Sequence, residues 1–287
     1  MAEKSSTESL QAKPGARPTL AFTLIGHNEA HTLPRCLDSI LWADQIVYVD
    51  CESSDGSAEV ARLYTPHVFN RPNNSNLNIN KTHGIDQART DWVFYLDPDE
   101  EIDAALAEEI QRVIASNPPQ NAFRLPRRNF FFGHWVRRGG QYPDTQLRLF
   151  RRGKARFPCV HVHEKLEVDG EVGDLRHAMN HYTNPTPLDA LKKVDFYSTF
   201  NANVMVKEGR RPSPVLAWRL LFWLPTSRLL RRYLLKGGFR DGYPGLIVAL
   251  LDSLELQMRF IKFWHLAGRQ AAAQGKPGLA QDKKEHS

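Results

Sequence analysis

Four acids follow the run Trp92-Val93-Phe94-Tyr95-Leu96: Asp97, Asp99, Glu100 and Glu101, with Pro98 between the first two. A run of aromatic and β-branched residues bounded by polar ones reads as a buried strand. In an open α/β fold the ligand crevice lies at the carboxyl ends of the strands. Two carboxylates one residue apart at such an end offer hard oxygen donors to a divalent cation, which in turn holds phosphate oxygens. The plainer alternative is that these acids start a helix, whose N-terminus favours negative charge. The neighbouring elements decide between the two.

Leu20-Ala21-Phe22-Thr23-Leu24-Ile25 reads as a buried strand with Gly26-His27-Asn28-Glu29 as its exit loop. Leu33, Cys36, Leu37, Ile40 and Leu41 then recur at helical spacing. Ile46 to Val49 is a second strand that ends at Asp50, and Ser53-Ser54-Asp55-Gly56-Ser57 is a turn and helix start. A short strand near Val68, a polar loop over 71–78 and a helix over 81–89 lead to the strand at Trp92. Leu106, Ile110, Val113 and Ile114 mark the apolar face of the next helix. This β–α alternation predicts a mostly parallel sheet with helices on both faces. Three strand ends now carry polar groups: Asn28-Glu29, Asp50 with Asp55, and Asp97 with Asp99. Each by itself could be capping or turn chemistry. Three in successive units favour one ligand crevice. No Gly-x-Gly-x-x-Gly follows the first strand and no Walker loop is present, which argues against a dinucleotide site or a P-loop. Phosphate held through a metal at Asp-x-Asp, with other acids reading base and ribose, fits better.

Hydrophobic content of 41% and charged content of 24% place the chain among globular proteins. Cys36, Cys51 and Cys159 are too widely spaced for a disulfide framework or a zinc pattern, and a reducing compartment fits. His161, His163, His177 and His181 invite a zinc reading, but no further spaced ligand completes a site. Residues 1–18 are polar without an apolar core, so a flexible leader rather than a signal peptide is expected; residues 271–287 are expected to be a flexible tail. The net charge of +6 is uneven. Between Arg124 and Arg156 ten Lys/Arg stand against one acid, Asp144, and between Lys207 and Arg240 nine stand against Glu208. Such asymmetry points to an anionic partner.

Asn28-Glu29, Val49-Asp50, Ser54-Asp55-Gly56-Ser57 and Asp97-Pro98-Asp99-Glu100 resemble the inverting family 2 glycosyltransferases of GT-A fold. Gly139-Gly140-Gln141-Tyr142-Pro143-Asp144, Gln146 to Arg152, and His161-Val162-His163-Glu164 are similar to the subgroup that adds β-linked glucose to a heptose of the lipopolysaccharide core. His181-Tyr182 and the stretches 193–201 and 233–242 follow the same layout, so the resemblance spans about residues 19–264. It implies an α/β fold with a mostly parallel sheet, organised as a GT-A catalytic domain over 19–185. That domain would comprise a nucleotide-sugar half (19–118) and an acceptor half (119–185), followed by an amphipathic helical region over 186–270. It further implies donor binding by Asn28, Glu29, Asp50, Asp55 and Asp97, and Mg²⁺ or Mn²⁺ held by Asp97 and Asp99, with Asp99 the direct ligand. A hexose, glucose from UDP-glucose, would pass to the core heptose with inversion. Departures from the common pattern are Cys51-Glu52 after Asp50, and Pro98 within the Asp-x-Asp; both bear on donor identity more than on reaction type. Inversion needs a base for the acceptor hydroxyl. Glu164 is the first candidate and Asp144 the second, each with an arginine ion pair as the ordinary alternative. Arg127, Arg138, Arg148 and His163 are the expected acceptor-side residues, because arginine grips phosphate with a planar fork.

Residues 215–224 are apolar but interrupted by Arg219, too short to span a bilayer, which needs about 20 residues. Residues 227–236 mix Leu and Tyr with Arg and Lys. In Leu246 to Trp264 the charges Asp252, Glu255, Arg259 and Lys262 share one helical face and the rest is nearly all apolar. Basic residues beside Trp, Phe and Leu predict helices that lie on an anionic membrane surface. The expected place of work is therefore cytoplasmic, peripheral on the inner face of the cytoplasmic membrane. Two rival readings remain at this point. One is transfer to polyprenyl phosphate or another surface polysaccharide or glycolipid. The other is a non-catalytic basic protein that binds membrane or nucleic acid. No nucleic-acid motif supports a nucleic-acid partner.

Overall fold

In the computed structural model, which describes residues 17–74, 76–159 and 165–273, seven buried residues in a row form strand β1 (Leu20–Gly26). Continuous burial marks a strand covered on both faces, the condition of a parallel sheet. The expected alternation follows: α1 (Leu33–Asp38), β2 (Gln45–Asp50), α2 (Ser57–Arg62), β3 (Val68–Asn70), α3 (Leu77–Asp86), β4 (Trp92–Leu96), β5 (Glu100–Glu101) and α4 (Ala104–Ala115). Next come β6 (Ala122–Leu125), β7 (Arg127–Phe131), β8 (His134–Trp135) and β9 (Gln146–Arg151). The last strands are β10 (Ala155–Arg156), β11 (Glu167–Val168), β12 (Val172–Asp174) and β13 (Met179–Asn184).

The described residues fall into two compact units, 17–125 with 146–177, and 126–145 with 178–273. The first holds a seven-stranded sheet in the order β12-β6-β9-β4-β1-β2-β3. Strand β1 lies parallel between β4 and β2, β2 pairs parallel with β3, and β12 with β6. Strand β9 runs antiparallel to both its neighbours, β4 and β6, so the sheet is mixed but mostly parallel, as expected. Phe22, Tyr48, Trp92, Phe94 and Phe150 are fully buried in its core. Phe22 meets Phe94 at a centroid distance of 5.0 Å and Trp42 edge-on at 5.4 Å. Helix α4 starts where the Asp103 carboxylate accepts the Leu106 N–H, and it buries Leu106, Ile110 and Ile114 at i, i+4 spacing. Glu109 on the same helix is also buried, and accepts the N–H groups of Arg176 and His177. The register Gly26↔Asp50 and Leu24↔Leu96 brings the carboxyl ends of β1, β2 and β4 to one edge.

In the second unit β7 pairs parallel with β13 and antiparallel with β8. Helix α5 (Pro187–Lys207) begins with Pro187 in its first turn and the Thr186 hydroxyl accepting the Asp189 N–H. A continuous helical rod then runs from α6 (Pro214–Trp218) through a π turn (Arg219–Trp223) and α7 (Leu224–Leu230) to a second π turn (Arg231–Leu235). Helix α8 (Gly242–Ala273) follows. Ala202, Met205, Leu220, Leu256, Phe260 and Phe263 form the core where α5, the rod and α8 meet.

The charged stripe of α8 does not face solvent, contrary to the usual outcome for such a stripe. Glu255 binds Arg259 and the Asn201 amide, Lys262 binds Asp195, and Asp252 pairs with Arg232. The opposite side of α8, with Tyr243, Ile247, Leu250, Ile261 and Trp264, is the exposed one. No helix among the described residues is long and apolar enough to cross a membrane.

Candidate functional site

The exit loops of β1 and β2 are knitted together by the polar residues that the sequence singled out. Asn28 takes a positive φ of 58°, which Asn tolerates better than most residues. Its N–H donates to the Ser53 hydroxyl at 2.9 Å and its side-chain oxygen accepts the Ser54 N–H at 2.8 Å. Asp55 accepts the Ala30 N–H at 3.0 Å and the Ser57 N–H at 3.0 Å. Burial would raise the Asp55 carboxyl slightly, but the Ser57 and Ala30 hydrogen bonds hold it below the usual carboxylate range. The Glu29 N–H donates to the Ser57 hydroxyl, and the Glu29 carboxylate accepts the Thr32 hydroxyl at 2.8 Å. Asn28, Glu29 and Asp55 therefore shape the loops of this edge.

Asp50 lies deeper, at 4% exposure. One carboxylate oxygen accepts the Ser53 N–H at 3.0 Å, and the other is buried with no hydrogen-bond partner among the described residues. Beside it the Tyr48 hydroxyl sits where a Cβ on Gly26 would be, 2.5 Å away, so only glycine ends β1 without displacing that ring. Burial, with Asp50 adding to it, pushes the Tyr48 phenol well up, and the ring stays neutral.

At the end of β4, Asp97 is gripped from two sides. Lys81 on α3 reaches one oxygen at 3.2 Å and Arg148 on β9 the other at 2.8 Å. Burial would raise this carboxyl, but the Lys81 and Arg148 charges outweigh it and hold Asp97 well below the usual carboxylate range. Arg148 also binds Glu100 at 2.6 Å, and Glu100 accepts the Asp97 N–H at 3.0 Å. The guanidinium lies 4.1 Å from the centre of the Tyr95 ring. Burial alone would lower the Arg148 pKa, but Glu100, Tyr95 and Asp97 raise it well above its ordinary value. Asp99 is half-buried two residues on.

Arg148, expected on the acceptor side, is thus at 2% exposure an internal cation under the Asp-x-Asp loop. The reason is a register shift opposite it, between Phe123 and Arg124 of β6, which gives β9 three buried residues in a row from Arg148 to Phe150. Lys81 was not singled out by the sequence, and nothing local marks it. Glu100 had a signal: Asp-x-x-Glu is the spacing of a turn closed by its own side chain.

In the second unit, Asp144 is held by the Arg127 guanidinium at 3.0 and 2.6 Å and by the Asn129 amide at 3.2 Å. The Asn129 oxygen in turn meets the His181 ring at 2.6 Å. Arg127 and Asp144, read as an acceptor contact and a possible base, are therefore partners of each other. The Arg138 side chain is exposed, and its N–H donates to Asp241 at 2.7 Å. His163 and Glu164, together with His161, lie outside the described residues. Among the described residues no group of three or more His, Cys, Asp or Glu is arranged to hold a metal by itself.

Residues 24–165 match the model of the family described as Glycosyl transferase family 2. The chain is 30% identical over 243 residues to the lipopolysaccharide core biosynthesis glycosyltransferase LpsC of Rhizobium meliloti, covering 83% of this chain and 88% of that protein. It is 25% identical to the uncharacterized glycosyltransferase RC0292 of Rickettsia conorii, over 91% of this chain and 94% of that one. Among solved structures, the mannosyltransferase PcManGT from Pyrobaculum calidifontis, in complex with GDP-Man and Mn²⁺, covers 89% of each chain at a TM-score of 0.49 and 14% identity. The family match over residues 24–165, with LpsC similar along most of the chain, agrees with the mostly parallel α/β sheet described above, a GT-A type fold: this chain belongs to glycosyltransferase family 2 and is a transferase enzyme.

Proposed function

We propose that the enzyme moves a hexose, glucose from UDP-glucose, onto a heptose of the lipopolysaccharide core with inversion, at the cytoplasmic face of the membrane. The observation that carries the donor side is the buried, unmatched oxygen of Asp50 on the same sheet edge as Asp97 and Asp99. A buried acceptor without a donor calls for one. A nucleobase N–H or a ribose hydroxyl would supply it. The similarity to LpsC supports a core-oligosaccharide acceptor.

The donor set at the end of β4 is hard oxygen, which suits Mg²⁺ or Mn²⁺. Such ions take one or two carboxylates and complete their shell with water and substrate phosphate. We assign Asp99 as the direct ligand, because both oxygens of Asp97 already face cations. When bound, the ion would neutralise charge developing on the departing nucleoside diphosphate. Lys81 and Arg148 keep Asp97 ionised and fix the loop that carries Asp99. Asn28, Glu29 and Asp55 hold the opposite wall of the crevice in place.

The acceptor hydroxyl must lose its proton as the new bond forms. Glu164 remains our choice for that base, because Asp144 is ion-paired with Arg127, and its Oδ2 accepts from both Arg127 and the Asn129 amide. Arg138 and His163 stay as the acceptor-side residues, with Arg127 acting through Asp144.

The test is nucleotide release from UDP-, GDP- and ADP-sugars with Mn²⁺ or Mg²⁺, with and without a heptose-containing core acceptor, alongside Asp99→Ala. Metal-dependent release from UDP-glucose, stimulated by the acceptor and lost in Asp99→Ala, is expected. Full turnover by Asp99→Ala would discard the site assignment, and release indifferent to the core acceptor would discard the acceptor.

A further inference from the structure

From Gly209 to Arg240 the chain carries eight Lys/Arg and no acid. Most of this stretch is the helical rod, and its outward stripe is set by the helical period: Val215, Trp218, Arg219, Phe222, Trp223, Leu230, Arg231, Leu234 and Leu235 are all exposed. Val215 at 76% and Leu235 at 83% exposure mark the two ends of the stripe. Trp218 and Trp223 stack on each other at 5.9 Å, which presents two indole faces at one level. The inward side of the rod is already used, since Leu220 is in the core and Leu216, Ala217, Leu221 and Leu224 pack against it. The stripe is therefore apolar surface that the fold has not spent on its own stability.

Its cations are likewise uncommitted. Arg211, Arg219 and Arg231 make no ion pair among the described residues, whereas Arg232, on the inward side, is paired with Asp252. On α8 the charged residues pair within the unit, while Tyr243, Ile247, Leu250, Ile261 and Trp264 face out. Between the two lies a groove of about 430 Å³ lined by Pro225, Thr226 and Leu229 of the rod and Ile247, Leu250 and Leu254 of α8. Ile247 and Leu250 belong both to this groove and to the exposed side of α8, so the groove opens onto that apolar side. The ordinary surface of a soluble domain does not expose so many large apolar side chains side by side.

We infer that this face of the second unit is a docking surface for an anionic phospholipid bilayer. The rod lies in the plane of the membrane, Trp218, Phe222, Trp223 and Leu235 enter the headgroup boundary, and Arg219 and Arg231 meet lipid phosphate. Charge complementarity selects this occupant. A second copy of the chain would set Arg211, Arg219 and Arg231, which make no ion pair among the described residues, against the same cations of its partner, while a protein groove-binder would leave Arg219 and Arg231 facing apolar surface. A rod of 22 residues, roughly 30 Å long, also matches a helix resting on a bilayer better than a short anchor. This deepens the proposed membrane location by naming the segment and the headgroup chemistry.

The experiment is cosedimentation of the full chain with phosphatidylcholine vesicles and with vesicles carrying one part in four of phosphatidylglycerol, read together with tryptophan emission. Binding to the anionic vesicles, a blue-shifted emission and loss of most binding in high salt are expected. Trp218→Ala/Trp223→Ala should lower the partition coefficient about tenfold and abolish the shift, and Arg219→Glu/Arg231→Glu should lower it about as much on anionic vesicles. Both double variants should melt as the parent does and release nucleotide from the sugar donor at the parental rate. That separates a failure here from a failure of the transferase assignment. Parental binding by both variants, no anionic preference in the parent, or a lipid-free dimer broken by the same substitutions would overturn the proposal.

Discussion

Replacing Arg148 by Met should cost the first unit much of its stability, and removing Glu100 as well should return it. Glu100 is fully buried, and Arg148 is its counter-charge at 2.6 Å. Without the guanidinium, Glu100 keeps the Asp97 N–H as a hydrogen-bond donor but must hold its charge without compensation. Breaking a buried pair from one side typically costs ~3–5 kcal/mol. For a domain of this size each kcal/mol moves the melting temperature by roughly 2–4 °C, so Arg148→Met should melt about 6–20 °C below the parent. In Arg148→Met/Glu100→Leu two charges give way to apolar groups of similar reach, an exchange that is often neutral in a buried site. Most of the loss should therefore be recovered. Activity should not follow. Both variants leave Asp97 without Arg148, so donor turnover should stay low in the double variant even as its melting temperature rises. Differential scanning calorimetry and nucleotide release on the same samples make the comparison. A single variant that melts within about 1 °C of the parent, or a double variant no better than the single, would refute the account of this charge cluster.

Three further outcomes are expected. Asp97 has a depressed folded-state pKa, so its contribution is full above the unfolded value of about 3.9 and is lost as pH falls through the folded value. Urea unfolding below about pH 4 should thus show a steep acid limb in the parent and a shallower one in Asp97→Asn; superimposable limbs would contradict this. A Cβ on Gly245 would lie 2.1 Å from the Gly238 carbonyl oxygen, and backbone cannot swing aside, so Gly245→Ala should cost ~1–3 kcal/mol. Gly268→Ala, in open space on the same helix, should be neutral or stabilising by up to ~1 kcal/mol; equal effects at the two positions would remove the steric argument. Finally, Glu164→Gln should bind donor normally and lose transfer by about 10²-fold or more, while Asp144→Asn should keep most of its rate. A fully active Glu164→Gln moves the base to Asp144.

The first unit was legible because its physics is periodic. Runs such as Leu20–Ile25 and Trp92–Leu96 can be read as buried strands, and the acids at their ends as one edge, since parallel strands put their carboxyl ends on the same side. Direction and register were less accessible. Nothing in Gln146–Arg151 announces that β9 runs against its neighbours, or that a shift in its pairing turns Arg148 inward. Lys81 reaches Asp97 from a helix with no recognisable polar pattern, so a long-range ion pair of this kind leaves no local trace. The small strands β5, β8, β10 and β11 have two residues each, too few to carry a period. On α8 the period was right, but which stripe faces out depends on what packs against it, here Arg232, Asn201 and Asp195.

Strand β9 has one more implication. Leu125 at the end of β6 and Gln146 at the start of β9 are direct cross-strand partners. Residues 126–145 therefore occupy the position of a hairpin tip, a place where chains accept insertions with little penalty. A two-residue turn could close the first sheet in their stead, and a minimal donor module would run from β1 to residue 177 with that substitution. A cut after α4 would serve badly. It would strip β9 from β4, expose Trp92–Leu96 as a sticky edge and leave Glu100 without its cation. Nascent chains pass through that same condition until β9 emerges from the ribosome, so β4 gains its second neighbour, and Glu100 its cation, only once residue 151 is clear of it.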